Sequence, residues 1–69
     1  MPSKQELTVP KGGSYSIRLS DGTLVQMNSE SRLVFPSYFD GKERKVYLSG
    51  EAYFEVSKSF QQRLYIILI

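Results

Sequence analysis

The sequence contains neither cysteine nor histidine, and both absences narrow what the chain can do. Without cysteine it forms no disulfide, and without either residue it cannot build the usual zinc site. The common nucleophilic triads also lack their thiol or their base, which argues against an enzyme. With 69 residues, of which 41% are hydrophobic, the chain forms one domain at most and buries only a thin core.

Long apolar runs, strong charge and helical periodicity are missing as well. No run approaches the roughly 18 to 20 apolar residues of a membrane span. The start, residues 1–4, lacks the apolar core of a signal peptide. The net charge is only +2 and the basic residues are scattered. We therefore expect no nucleic-acid partner and no membrane contact by this chain.

The sequence does contain strand patterns, and the longest runs from Arg44 to Val56. Its even positions are Val46, Leu48, Gly50, Ala52, Phe54 and Val56, and its odd positions are Lys45, Tyr47, Ser49, Glu51, Tyr53 and Glu55. This alternation predicts a strand with one buried face. Because such a strand would reach about 43 Å, longer than usual, we expect a bend at Ser49-Gly50, where glycine lacks the Cβ that resists a kink.

Shorter strand patterns, each followed by turn residues, precede this stretch. They are Glu6–Pro10, Tyr15–Leu19, Thr23–Asn28 and Arg32–Phe35. Many short strands with frequent turns predict an all-β fold of antiparallel strands, which is a β-roll, a sandwich or a jelly-roll-like fragment. We divide the chain into a disordered or added start (1–5), a β domain (6–58) and a divergent apolar tail strand (59–69).

The Asp21-Gly22 turn sets the register of the first hairpin. A two-residue loop would turn the apolar side chains of the third strand to the wrong face. We therefore predict a three-residue loop, Asp21–Thr23, with Gly22 in a left-handed conformation at a bulge. This loop pairs Leu19 with Val25 and Ile17 with Met27. Leu24 is then either a stray surface residue or a sign that both faces of the sheet are covered.

Two glycine-containing turns share features with ligand-binding loops. Asp21-Gly22 together with Asn28 lacks the spacing of an EF-hand. Gly12-Gly13 is not followed by the Lys-Ser/Thr pair of a phosphate-binding loop. Both are better explained as turns of the chain, so we predict no catalytic, metal-binding or cofactor-binding residue and no cofactor.

The odd-numbered face of the long strand supplies the candidate interaction residues, Tyr47, Glu51, Tyr53 and Glu55. Their mixture of aromatic and acidic groups suits either a partner-binding surface or an ordinary solvated sheet face. Glu51 and Glu55 would lie about 13 Å apart along a strand, beyond the roughly 5 to 9.5 Å between glycosidase carboxylates. We expect Arg32 and Arg44 to pair with Glu51 or Glu55 across strands.

Several separate motifs keep a common order and spacing over residues 6–58. They are Pro10-Lys11-Gly12-Gly13, Leu19-Ser20-Asp21-Gly22-Thr23, the segment from Val25 to Ser31, Phe35-Pro36, and the segment from Phe39 through Arg44 to Val56. Together they resemble the FecR family, and their residue sequence is similar to that of members from Bacteroidetes. The Leu-x-Asp-Gly-Thr and Leu-x-Gly-Glu-Ala-x-Phe-x-Val elements carry most of this resemblance.

The resemblance implies part of the periplasmic domain of a single-span inner-membrane protein. In that family a cytoplasmic segment, absent from this sequence, binds an extracytoplasmic-function sigma factor as an anti-sigma factor. The periplasmic part receives a signal from the signalling domain of a TonB-dependent outer-membrane transporter. The implied function is to relay, by protein contact, the capture of a substrate such as an iron chelate or a glycan. The alternative function is that of a small carbohydrate- or ligand-binding β-module.

The tail departs from the family pattern after Val56. The family continues through a polar turn to a Pro-Phe-x-Val strand, whereas residues 57–69 here are polar and then apolar. This segment is either a divergent strand or the end of a truncated or frame-shifted chain. Since missing strands would leave open edges, we expect the chain to self-associate as a homo-oligomer.

Overall fold

The computed structural model describes residues 2–58 and 62–69, which contain seven strands and no helix. The strands are β1 (Lys4–Thr8), β2 (Tyr15–Arg18), β3 (Leu24–Met27), β4 (Arg32–Pro36), β5 (Glu43–Ser49), β6 (Ala52–Glu55) and β7 (Arg63–Leu68). The predicted all-β class is confirmed. None of the described residues belongs to a helix long and apolar enough to cross a membrane.

The strands form two sheets with the core between them. One sheet has four strands in the order β1-β4-β5-β7, and the other has three in the order β2-β3-β6. Both sheets contribute to the core, which consists of Val9, Leu19, Val25, Met27, Leu33, Val46 and Leu48. Each strand turns alternate side chains to this core, so the period-two patterns of the sequence become the inner faces of the sheets.

One strand pair corrects the expectation of antiparallel strands, because β5 and β7 are parallel. After β6 the chain has returned to the start of β5, where the Arg44 guanidinium contacts the carbonyl of Ser57. The following strand re-enters the four-stranded sheet at this level, with Arg63 opposite Glu43, and must therefore run in the same direction as β5. The other strand pairs are antiparallel.

The bend predicted in the long alternating stretch is confirmed at Gly50. β5 ends just before it in one sheet, and β6 begins just after it in the other. Gly50 has φ 95°, and a Cβ there would lie 2.7 Å from Ser31 Oγ. The corner therefore needs glycine for its backbone conformation and for its close approach to Ser31. The predicted buried face extends through Phe54, whereas Val56 is 46% exposed.

The first hairpin has the predicted loop length and a different register. Leu19 N donates to the carbonyl of Thr23 (2.8 Å), so the three-residue loop is 20–22 rather than 21–23. The Asp21 carboxylate accepts from Thr23 N (2.9 Å), which draws Thr23 out of the loop and into the strand pairing. The observed pairs are Ile17 with Val25 and Tyr15 with Met27. The observed register differs from the predicted one by two residues, and therefore the same side chains face the core. Gly22 has the predicted positive φ, 93°.

Both ends of the chain add strands to the four-stranded sheet. β1 begins at Lys4, within the segment 1–5 that we predicted to be disordered or added. Hydrogen bonds explain this earlier start, because Ser37 N donates to the carbonyl of Ser3 (2.7 Å) and Ser3 N donates to Ser37 Oγ (3.0 Å). In the apolar tail, β7 occupies Arg63–Leu68, and residues 59–61 of the predicted strand lie outside the described residues.

Candidate functional site

The structure separates the four candidate interaction residues. Tyr47 lies on β5 in the four-stranded sheet, Tyr53 and Glu55 lie on β6 in the three-stranded sheet, and Glu51 lies at the corner between the two strands. Because the neighbouring Phe54 of β6 points to the core, Tyr53 and Glu55 point outward from their sheet. Tyr47 points outward from the opposite sheet, so these residues do not form one surface. A partner-binding role for them stays a prediction.

The outer face of the three-stranded sheet consists of two rows of cross-strand neighbours. Tyr53 lies opposite Gln26, and Glu55 lies opposite Leu24, which in turn lies opposite Arg18. Leu24 is only partly exposed between the longer side chains beside it, which explains its place on an otherwise polar face. Tyr53 is 63% exposed and is the most prominent aromatic side chain of this face.

Tyr47 lies beside Val34 on the outer face of the four-stranded sheet. Val34 lies between Tyr47 and Glu6 in the strand pairing and is only 8% exposed, although it is outside the core. The side chains of the two flanking strands therefore shield it from water. The same residues line an open groove of about 540 Å³, together with Arg32, Pro36 and Ile69.

Neither arginine forms the ion pair that we predicted. Arg32 lies 3.7 Å from the Glu6 carboxylate in an exposed pair, because β4 lies between β1 and β5 and does not pair with β6. Arg44 forms an ion pair with Asp21 in the hairpin loop. Both predicted partners, Glu51 and Glu55, lie in the other part of the fold, at the corner and on β6.

Arg44 is the centre of a buried polar cluster between the two sheets. It is 3% exposed and occupies the inner face of β5, in line with Val46 and Leu48. Besides the Asp21 carboxylate, its guanidinium donates to the carbonyls of Ser57 (3.0 Å) and Gln62 (2.9 Å). Arg44 has an even number, like the buried residues Val46 and Leu48 of the same strand. The alternation of the sequence could therefore have revealed its inward orientation.

Asp21 connects the charged cluster to the hairpin. Its carboxylate accepts from Thr23 N (2.9 Å) and from the Thr23 hydroxyl (2.8 Å), and that hydroxyl accepts from Ser57 N (3.2 Å). Burial by itself raises the pKa of Asp21, but the hydrogen bonds from Thr23 and the charge of Arg44 outweigh it. The pKa therefore lies below its ordinary value of 3.8. The cluster fastens the two sheets at the end where β5 begins.

A second buried polar group fastens the opposite end, where β5 gives way to β6. Ser31 is fully buried, and its Oγ donates to the carbonyl of Glu51 (2.7 Å) and accepts from Glu51 N (3.0 Å). Asn28 N also donates to this carbonyl (3.1 Å). The contribution of Glu51 to the fold thus comes from its backbone N–H and carbonyl groups.

The polar groups around Arg44 and Ser31 hold the two sheets together. Within residues 2–58 and 62–69, no three His, Cys, Asp or Glu side chains lie close enough together to hold a metal ion. The largely buried carboxylate of Asp21 is already engaged by Arg44 and Thr23. That the chain is not an enzyme stays a prediction. The surfaces available for binding are the two outer sheet faces and the edges of the sheets.

Solved structures of other proteins share this two-sheet arrangement. Two crystal structures, each of a candidate anti-sigma factor from Parabacteroides distasonis, superpose on nearly the whole chain. One has a TM-score of 0.93 and 27% identity over 96% of this chain, and the other has a TM-score of 0.91 and 28% identity over 93%. These matches cover 31% and 30% of the two solved chains, so the chain spans about a third of their length.

The family follows from the sequence comparison. The family model described as FecR protein matches residues 5–68, and the chain therefore belongs to the FecR family. None of the curated proteins compared with the chain matches it. Arg44 and Gly50, at the two junctions, lie within the residues that the family model matches.

Proposed function

We propose that this chain is part of the signal-receiving domain of a FecR-type anti-sigma regulator. The observation that carries the proposal is the match of 96% of the chain, at a TM-score of 0.93 and 27% identity, to a candidate anti-sigma factor. Membership of the FecR family, established over residues 5–68, supports the same role. The chain represents about a third of such a protein, so regulation requires segments beyond it.

In this proposal the domain lies in the periplasm and acts through protein contact. Its partner is the signalling domain of a TonB-dependent outer-membrane transporter, which reports the capture of an iron chelate or a glycan. A cytoplasmic segment of the longer protein then acts on an extracytoplasmic-function sigma factor. The polar groups at both junctions hold the sheets together, and the outer faces and the sheet edges are the surfaces that a partner can contact.

Tyr53 is the residue that we expect to contribute most to this contact. It is 63% exposed on the outer face of the three-stranded sheet, beside Gln26 and Glu55. Large, exposed aromatic side chains commonly provide much of the binding energy at protein interfaces. Tyr47 is less suitable because it shields Val34 within its own sheet.

Binding of the isolated transporter signalling domain to this chain tests the proposal. We expect Tyr53→Ser to weaken that binding by about tenfold or more. Tyr38→Ser is the matched control, because Tyr38 is 47% exposed but lies in a loop, and it should change the affinity little. Failure of the signalling domain to bind the folded chain would contradict the proposal.

A small-ligand module is the second candidate function, and the groove on the four-stranded sheet favours it. Its volume of about 540 Å³ is in the range of small-molecule sites. Tyr47 forms part of its lining and offers an aromatic ring to a sugar. A panel of glycans separates the two functions: binding of a glycan that Tyr47→Ser abolishes, without binding of the signalling domain, would establish the ligand module instead.

A further inference from the structure

The two edge strands of the four-stranded sheet, β1 and β7, differ in the residues whose backbone groups point away from the sheet. Ser3 and Val9 flank β1 and bond toward β4, since Ser37 N donates to the Ser3 carbonyl and Val9 N donates to the Ser31 carbonyl. Backbone groups alternate in direction along a strand, so the outward groups of β1 belong to Lys4, Glu6 and Thr8. Charged residues on an edge discourage pairing with another chain.

β7 presents an apolar edge at the opposite side of the same sheet. Ile69 N donates to the carbonyl of Leu48 (2.9 Å), so the odd-numbered residues of β7 bond toward β5. The outward N–H and carbonyl groups therefore belong to Leu64, Ile66 and Leu68. Ile66 is 40% exposed and Leu68 is 74% exposed. Within β7 only Arg63, at its start, is charged, and the strand contains no proline.

We propose that β7 pairs with β7 of a second copy of this chain, antiparallel and about a two-fold axis at Ile66. In this register Ile66 lies opposite the partner's Ile66, and Leu64 lies opposite the partner's Leu68. The outward groups of all these residues meet, which gives about six hydrogen bonds, two for each hydrogen-bonded pair. Shifting the register by two residues in either direction loses one such pair.

The same register suits the side chains. Leu64, Ile66 and Leu68 share the face of Val46, and a two-fold axis perpendicular to the sheet places both copies of this apolar row on one face. Arg63 falls opposite the partner's Ile69, so the two arginines lie at opposite ends of the interface. No like charges meet across it. Because each copy contributes the same edge, the pairing closes at a dimer.

This interface concerns self-association and stands apart from the contact with a transporter. It specifies which edge carries the homo-oligomer expected from the sequence. A dimer formed through β7 leaves the outer face with Tyr53 accessible, because that residue lies in the other sheet. Failure of the dimer test therefore does not affect the proposed function.

Cysteine cross-linking tests the register directly, because the chain has no cysteine of its own. Ile66→Cys should form a disulfide-linked dimer under mild oxidation, since a hydrogen-bonded pair has its Cα atoms about 5.5 Å apart. A mixture of Leu64→Cys and Leu68→Cys chains should form the heterodimer in preference to either homodimer. Glu6→Cys, at the corresponding outward position of β1, is the control and should form no disulfide-linked dimer, although it still pairs through β7.

Sedimentation of variants with proline tests the backbone pairing. Ile66→Pro removes an outward N–H of β7 without removing a bond to β5, and it should weaken dimerisation by about tenfold or more. Glu6→Pro removes the corresponding donor on β1 and should leave the dimer intact. A 7.9 kDa monomer at high concentration would overturn the proposal, leaving this edge for a later strand of a longer FecR chain. Open-ended polymers, or equal effects of both proline variants, would also overturn it.

Discussion

The two ends of β5 are fastened by different physical means. At its start, Arg44 brings a buried charge to Asp21 and to the carbonyls of Ser57 and Gln62. At its end, the neutral hydroxyl of Ser31 holds the backbone of Glu51 beside Gly50. Both junctions join the four-stranded sheet to segments of the three-stranded sheet. A thin core is thus supplemented at each end by one buried polar group with several backbone partners.

The difference between the junctions determines what each one tolerates. The charged junction depends on compensation of a buried guanidinium by hydrogen bonds to its two terminal nitrogens. Arg44 Nε has no hydrogen-bond partner among the described residues, so little compensation is in reserve. The neutral corner depends on a close approach that leaves no room for a Cβ. Loss of charge should therefore damage the first junction most, and added volume should damage the second most.

Removal of the charge at Arg44 should have the largest effect. Arg44→Leu leaves the largely buried carboxylate of Asp21 without its cation, and we expect the free energy of unfolding to fall by about 3 to 5 kcal/mol. Arg32→Leu removes the exposed pair with Glu6 and should cost less than about 1 kcal/mol. Urea unfolding of both variants measures the difference. Equal losses would show that the buried pair is no more important than the exposed one.

Added volume at Gly50 should have the next largest effect. In Gly50→Ala the Cβ would lie 2.7 Å from Ser31 Oγ and 2.8 Å from Ser31 Cα, in a backbone of positive φ. We expect a loss of about 3 kcal/mol. Gly41→Ala is the matched control, because Gly41 also has a positive φ but nothing lies within 4 Å of its added Cβ. It should lose only about 1 to 2 kcal/mol, the cost of the backbone conformation alone.

Removal of the hydroxyl at Ser31 should have a smaller effect than the added Cβ. Ser31→Ala deprives Glu51 N of its acceptor and removes one of two donors to the Glu51 carbonyl, since Asn28 N remains. We expect a loss of about 2 kcal/mol. Ser29→Ala, which removes an exposed acceptor for Gly12 N, should cost about 1 kcal/mol or less. A smaller loss for Ser31→Ala than for Ser29→Ala would contradict the role of the corner.

The sequence predicted the neutral corner and not the charged junction. A glycine that interrupts a regular alternation indicates a bend by itself, because the requirement is local. The ion pair joins residues 23 positions apart, and its formation depends on how two sheets face each other. Likewise, alternation placed Tyr47 and Tyr53 on one face of one strand, but the bend at Gly50 put them in different sheets. Period-two patterns therefore predicted whether a side chain points inward or outward better than they predicted which residues lie beside it.

The pH dependence of stability offers a finer distinction between the two junctions. The pKa of Asp21 lies below its ordinary value of 3.8 in the folded chain, so the carboxylate stabilises the fold above that pH. This stabilisation should be lost as the pH falls through the lower, folded-state pKa, because the unfolded chain binds the proton first. Urea midpoints measured between about pH 6 and pH 2 should therefore fall more steeply for the native chain than for Asp21→Asn. Ser31→Ala, which changes no ionisable group, should keep the native slope, and an unchanged slope in Asp21→Asn would contradict the role of this carboxylate.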